Sequence, residues 1–230
     1  MMTTHEPFRV LLDADTLARA MTRSLLIMAG VKKGSMYRPR WTLRIEAEAD
    51  RHIATGRVKV AELRMRFDWG SAVLVDDVVE GLEADLAETD AKDRHVLAAA
   101  RQADIRTIVT GNVRHFGQSD LVRLGIVAVH PDLFLSQVLD PDLYRAVVTE
   151  WSSRRTRTGT TPESLHSVLA DQHPLTFEAM RHVFPDVEPV AHTNEMPHVK
   201  FRGDKCFICG KPLADTECLK LGVCPECKRL

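Results

Sequence analysis

The residues best suited to chemistry in this chain are four cysteines near its end and a set of carboxylates spread over its first half. Cys206-Phe-Ile-Cys209 and Cys224-Pro-Glu-Cys227 are two C-x-x-C pairs separated by 14 residues, 210–223. Thiolates at this spacing fill the coordination shell of a tetrahedral Zn²⁺. A closed set leaves no position for a reacting water, so the expected centre is structural. A segment this short cannot bury a core, and metal binding would supply its folding energy. Gly210 and Pro225 suit the turns of such knuckles. Cys218 is the odd cysteine, and His192 and His198 are weaker alternative ligands. All 5 cysteines follow residue 205, which argues for a metal site and against a disulfide framework.

The carboxylates point to different chemistry. Asp13 ends the apolar run Phe8–Leu12, and Asp90 and Asp93 open a helix. Glu46, Glu48 and Asp50 lie on a second helix around an apolar stripe of Ile45, Ala49 and Ile53. Thr110-Gly-Asn112-Val-Arg-His115 closes a short apolar strand. Hydrolysing a phosphodiester requires an activated water and neutralisation of the charge that builds on phosphorus. Mg²⁺ or Mn²⁺ held by a few carboxylates supplies both. Asp13, Asp93 and one acid of the second helix come from separate elements, as a site at a sheet edge requires. Periodicity leaves Glu46 and Glu48 both open. Asn112 and Thr110 could orient a water, and Lys92, Arg94 and Arg114 could contact phosphates. Singly, each acid has a plainer reading as a helix cap, a helix-dipole residue or part of a solvated face.

The elements that must position these groups alternate. A strand at Phe8–Leu12 is followed by a helix over Leu17–Met28 that stops at Gly30. Trp41–Ile53 and Arg57–Trp69 are expected to be helical, and Ala72–Val79 a short strand or buried turn entering a helix through Leu86. Asp90 is a plausible N-cap with Asp93 in the first turn. Thr107–Thr110 and Ile126–Val129 are strands around a helix at Ser119–Leu124. This alternation predicts an α/β fold, a mainly parallel sheet with helices on both faces. From Pro131 the pattern becomes helical, with Thr161 capping and Pro162 at the first turn of one helix. The expected organisation is an α/β domain over 8–131, a small helical lobe over 132–185, a proline-containing linker over 186–203 and a zinc ribbon over 204–230. A formal net charge of −1 advertises no global field for nucleic acid, so a binding surface must be local. Met1–Pro7 carries no apolar signal segment, and Ser24–Gly30 is too short to span a bilayer. A cytoplasmic protein with no membrane partner is the expectation. No glycine-rich dinucleotide fingerprint, serine elbow or P-loop is present.

On specific residues the chain resembles the PIN-domain nucleases, in particular the VapC-like toxin ribonucleases with an added helical C-terminal lobe. The matching residues are Val10-Leu-Leu-Asp13 with Thr16-Leu17, and Trp41-Thr42 followed by Ile45 and Glu48. They continue with Asp90-Ala-Lys-Asp93-Arg-His-Val-Leu-Ala-Ala-Ala and Ile108-Val-Thr110-Gly-Asn112-Val-Arg-His115-Phe116. The resemblance covers about Phe8 to Val183. It implies a PIN-like parallel sheet flanked by helices and Mg²⁺- or Mn²⁺-dependent endoribonuclease activity on RNA. It also implies, often, a cognate protein antitoxin that blocks the site. It favours Glu48 over Glu46, making Asp13, Glu48 and Asp93 the metal ligands, with Asn112 and His115 as further catalytic residues. Two departures stand out. The family often carries Asn where Asp15 stands and Asp where His115 stands. His115 would then ligate Mn²⁺, donate a proton or leave the site weaker. The zinc tail, Cys206, Cys209, Cys224 and Cys227, is also outside the usual toxin pattern. The alternative is therefore a catalytically weak or inactive PIN-like module that binds nucleic acid or protein through its zinc ribbon. The apolar first helices could form a homodimer face.

Overall fold

The computed structural model describes residues 6–66, 73–78, 81–155, 159–190 and 197–228. Asp68-Trp69-Gly70, His192 and part of the basic stretch Arg154–Gly159 lie outside them. A mostly parallel five-stranded sheet, flanked by helices, organises the molecule. Strands β1 (Phe8–Leu12), β2 (Tyr37–Arg40), β3 (Thr107–Val109), β4 (Val127–Val129) and β5 (Phe201–Arg202) lie in the order β2-β1-β3-β4-β5. The first four are parallel, and β5 pairs antiparallel with β4. Val10, Leu11 and Leu12 are all fully buried, as a strand covered on both faces must be.

Chain direction across the sheet reverses at β1. One connection leads from β1 to β2 on one side, and the next crosses to β3 on the other. A crevice opens outside the carboxyl ends of strands at such a point. Asp13 follows β1 and Thr110–Asn112 follow β3, so the sequence delivers both segments to that crevice.

Helices α1 (Ala14–Ala18) and α2 (Ala20–Val31) replace the single helix expected over Leu17–Met28. The chain breaks at Arg19, and the Arg23 guanidinium donates to the Leu17 carbonyl at 2.6 Å, satisfying a backbone group that the break exposes. α2 lies close against β2. A Cβ at Gly30 would sit 2.5 Å from Pro39 Cδ and 2.8 Å from the Tyr37 ring, so only glycine permits the approach. Tyr37 donates to the Leu26 carbonyl at 2.8 Å and meets the Phe134 ring edge-on at 4.9 Å. Burying rings of this size stabilises the sheet–helix contact by about 1.5–3 kcal/mol each.

α3 (Leu43–His52) is capped by Thr42, which accepts from Ile45 N, and α4 (Val60–Arg66) is capped by Asp50, which accepts from Val60 N at 2.6 Å. The segment before Leu86 is a series of turns with an isolated bridge from Leu74 to Trp41, not the helix expected there. α5 (Arg94–Gln102) begins three residues later than expected, with Asp93 at the N-cap. α6 (Gln118–Leu124) joins β3 to β4. The helical lobe contains α7 (Pro131–Val138), α8 (Pro141–Ser153), α9 (Pro162–Gln172) and α10 (Pro174–Ala179). Thr161 caps α9 as expected, and Ser164 returns the bond to make the cap reciprocal. Buried Asp132 accepts from Leu175 N and Thr176 N, fastening the start of α10 to α7.

The tail returns to the sheet. Phe201–Arg202, inside the stretch expected to be linker, form β5, and the His130 amide donates to Lys200 O at 2.8 Å. Arg202 donates to the Phe116 carbonyl, and Thr107 to the Phe207 carbonyl at 2.9 Å. A last helix, α11 (Thr216–Leu221), lies between the two cysteine pairs. No described helix is long and apolar enough to cross a membrane.

Candidate active site

Asp13 is held twice. Its Oδ1 accepts from Ala14 N at 2.6 Å, and its Oδ2 accepts from the Thr110 hydroxyl at 2.7 Å. The first bond caps α1, so the plain reading of Asp13 as a helix cap is correct as far as it goes. Yet the residue is only 3% exposed and has no cationic partner among the described residues. Burial, and then the charge of Asp15, push its pKa well above the ordinary aspartate range, with Asp93 adding to the shift.

Asp15 brings a second carboxylate to the same place. Its Oδ1 receives Thr110 Oγ1 at 3.4 Å and Gly111 N at 3.3 Å. Its Oδ2 is buried and has no hydrogen-bond partner among the described residues. A Cβ on Gly111 would lie 2.4 Å from that oxygen, so the space beside it depends on glycine.

Asp93 arrives from α5. Its loop is latched by Asp120, which accepts from the amides of Glu88 and Thr89 and from the Thr89 hydroxyl. The Gly117 amide donates to that hydroxyl, and the Asp90 amide donates to His115 O at 2.8 Å. These bonds hold the Asp90–Asp93 turn against the 3₁₀ turn at Val113–His115. His115 Nδ1 then lies 2.9 Å from Asp93 Oδ2. Burial raises the Asp93 pKa, the His115 contact opposes the rise, and Asp90 and Glu48 add to it. Asp90, Asp93 and His115 offer ligand atoms that all lie within 4.8 Å of one another.

The two glutamates of α3 have different surroundings. Glu46 is buried and fully occupied, accepting from Trp41 Nε1 at 2.9 Å and from Arg64 at 2.8 and 2.9 Å. Glu48 is half-exposed and lies 3.3 Å from His95 Nε2. His95 is buried, its Nδ1 is 2.8 Å from Lys92 O, and burial lowers its pKa. Asp13, Asp93 and Glu48 thus feel one another's charge in a chain, Asp13 to Asp93 and Asp93 to Glu48. Sequence reasoning gave His95 no role, and its buried place beside Glu48 arises only from the packing of α5 against α3. Arg94 is tied to the carbonyls of Thr89 and Ala87, which leaves Lys92 and Arg114 as the exposed cations of that set.

A cavity of about 1410 Å³ opens beside the acids. Asp15, Gly111, Asn112 and Arg114 lie on one side, α8 and α9 on another, and Pro197–Val199 of the tail close a third. His130 and His173 also face it. Burial depresses their pKa values to about 4 and about 3, so both are neutral near pH 7 and the positive charge comes from arginines such as Arg19, Arg114 and Arg155.

At the other end of the molecule the sulfurs of Cys206, Cys209, Cys224 and Cys227 lie within 4.8 Å of one another. Gly210 N donates to Cys206 O and Cys227 N to Cys224 O, forming two tight turns. Gly210 has φ +76°, the left-handed conformation that favours glycine. Burial and neighbouring sulfurs raise the Cys209 and Cys227 pKa values. Cys218 lies outside the cluster. Four sulfurs and three acidic-site ligands are two places where a metal ion could be held.

No protein-family profile matches the chain, and no solved structure matches it. Over 100 residues it is 38% identical to a Mycobacterium tuberculosis protein named "Putative ribonuclease VapC50". The match takes in 43% of this chain, and the chain spans 59% of that protein's length. A relative so named, together with a mostly parallel sheet flanked by helices, fits a PIN-like nuclease.

Proposed function

We propose that this chain is a divalent-metal-dependent endoribonuclease of the PIN type and the toxin of a toxin–antitoxin pair. The supporting observation is the set of carboxylates Asp13, Asp15, Asp90, Asp93 and Glu48 near one rim of the sheet, none of which is ion-paired with a lysine or arginine among the described residues. Asp13 and Asp93 have raised pKa values there, and one buried Asp15 oxygen is unpartnered. Such a site is unfavourable alone and suits a cation. Asp13, Glu48 and Asp93 would hold Mg²⁺ or Mn²⁺, with Asp15 and Asp90 beside them. The bound ion would neutralise charge on the phosphate and acidify a water.

The chain's own residues do the rest. Thr110 and the Ala14 amide fix Asp13 in one rotamer. Asn112 stands at the cavity wall, where its amide can orient a water or a phosphate oxygen. Arg114 and Lys92 contact the RNA backbone. His115 holds a proton at Nδ1 against Asp93 or yields that carboxylate to the metal. The cysteine cluster binds a structural Zn²⁺. RNA is the substrate, a protein antitoxin the regulator and the cytoplasm the location.

The test is cleavage of a labelled single-stranded RNA by zinc-loaded protein with added Mg²⁺ or Mn²⁺. Asp93→Asn should abolish cleavage while leaving zinc content unchanged. Undiminished cleavage by that variant would refute the assignment. A substitution is a cleaner test than a chelator, which would also strip the tail. The second reading, an inactive binding module, is favoured by one contact: His115 engages the carboxylate that a metal needs. Absence of cleavage together with RNA or protein binding that requires the tail would select it.

A further inference from the structure

At the amino ends of the same strands, away from the acids, a cavity of about 780 Å³ lies between the sheet and the first cysteine knuckle. Arg9, Arg38, Arg40 and Arg106 all line it. The register explains why. Arg9 pairs with Arg38 across β1 and β2, and Arg106 immediately precedes Thr107, the partner of Val10. Three guanidinium-bearing residues therefore start three neighbouring strands in a row, and Arg40 follows two residues along β2. Like charges side by side on adjacent strands are destabilising.

Among the described residues none of the four is within ion-pair distance of a carboxylate. Among the described residues Arg9 donates to the Asp104 carbonyl, Arg40 to the carbonyl of its neighbour Pro39, and Arg38 to the Gly30 and Lys32 carbonyls at the end of α2 and to the Tyr37 carbonyl. Burial and the charges of Arg9 and Arg38 lower the Arg40 pKa, the electrostatic mark of a cationic group lacking a counter-ion. The knuckle presses on the row, since a Cβ at Gly210 would lie 2.6 Å from Arg106 Nη1.

We propose that this arginine row is a second RNA-binding surface, holding phosphodiester groups of the substrate on the face opposite the cleavage site. Planar guanidinium groups donate in pairs to phosphate oxygens. Phe207 at the knuckle wall is buried and Phe8 is half-buried, so the surface offers chiefly guanidinium charge, with Glu6 and Asp104 also in its lining. It would therefore grip backbone without reading bases. The zinc knuckle forms one wall, which gives the tail a place in substrate binding. This inference takes RNA from the proposed function, but its readout is binding.

Zinc-loaded protein carrying Asp93→Asn is titrated with a fluorescein-labelled single-stranded RNA at several salt concentrations, read by anisotropy. Adding Arg9→Ala and Arg106→Ala should weaken binding about tenfold and flatten the slope of log affinity against log salt by about 1.4, at about 0.7 per phosphate contact. Arg9→Lys should retain most of the affinity, separating lost charge from lost fold. In the cleaving background the arginine variants should raise KM and spare kcat. Unchanged affinity and slope would overturn the inference, whether or not cleavage occurs. Loss of zinc from the arginine variants with RNA affinity intact would also overturn it, assigning the row to balancing the negative charge of the zinc-bound thiolates. If the salt slope changes as expected in a protein that never cleaves RNA, the surface stands and the nuclease reading falls.

Discussion

The acid cluster and the cysteine cluster are both candidate metal centres, and they are built on opposite principles. The four sulfurs come from two tight turns close in sequence and close on one another, so their geometry is local and complete. The acids come from β1, α3, α5 and the turns flanking them, so their geometry is tertiary and incomplete. As a proposed zinc site, the cysteine set would draw its folding energy from the metal. The acidic set is held by the sheet, the Thr110 hydroxyl and the Asp120 latch whether or not a metal is bound. One centre would exchange ions freely, and the other would hold its ion for the life of the fold.

The sharpest way to break that contrast is at the tail. Cys206→Ser should release zinc and unfold residues after about 203, because structural zinc contributes on the order of 10 kcal/mol to such segments. Zinc content and limited proteolysis would report it, and a protease-resistant, metal-free tail would contradict it. Next in size, Asp93→Asn and Asp13→Asn should each cut cleavage by about 100-fold or more with zinc retained, an effect typical of removing one preorganised charge-stabilising group. Initial rates under saturating Mn²⁺ are the measurement.

A stability effect of opposite sign comes third. The folded-state pKa of Asp13 is raised above its ordinary 3.8. Its contribution to stability is therefore present below that value and lost as pH rises through the raised one. At neutral pH the charge is a burden, and Asp13→Asn should stabilise metal-free protein, moving its denaturation midpoint upward. Denaturant melts would show it. Added Mg²⁺ should stabilise the parent and not the variant, and its benefit should shrink with acidification. The smallest effect is expected from His115→Asp. Replacing the imidazole that engages Asp93 with a further carboxylate should lower the metal concentration for half-maximal rate a few-fold, less than about 1 kcal/mol. A metal titration of the rate would expose a change in the other direction.

Much of this was legible in the residue pattern, for physical reasons that vary from element to element. Thr161 and Pro162 announce a helix start because capping is local chemistry. The alternation of strands and helices sufficed for a parallel sheet. β2 escaped notice because Tyr37-Arg-Pro-Arg40 has neither alternation nor length, and its proline lacks a donor. β5 escaped because two residues carry no period. The break at Arg19 is invisible in a hydropathy pattern that runs smoothly across it. The pattern points to Asp90 as the cap with Asp93 in the first turn, but a turn closed by Lys92 N on Asp90 Oδ1 delays the helix and Asp93 takes the N-cap. Glu46 and Glu48 could not be separated by periodicity, because the group that occupies Glu46, Arg64, is a tertiary neighbour. Of the acids drawn from distant segments, Asp93 feels the charge of both Asp13 and Glu48, and which of them bind metal is the proposal above.

The strand that completes the sheet is also the last strand in chain order among the described residues. While the ribosome is still adding residues beyond α10, the free edge of β4 has no partner, and Pro197–Val199 are not there to wall the cavity beside the acids. A nascent chain therefore carries an incomplete cavity beside Asp15 until Phe201–Arg202 dock. Synthesis order alone keeps that wall open until the tail has been made and has folded back.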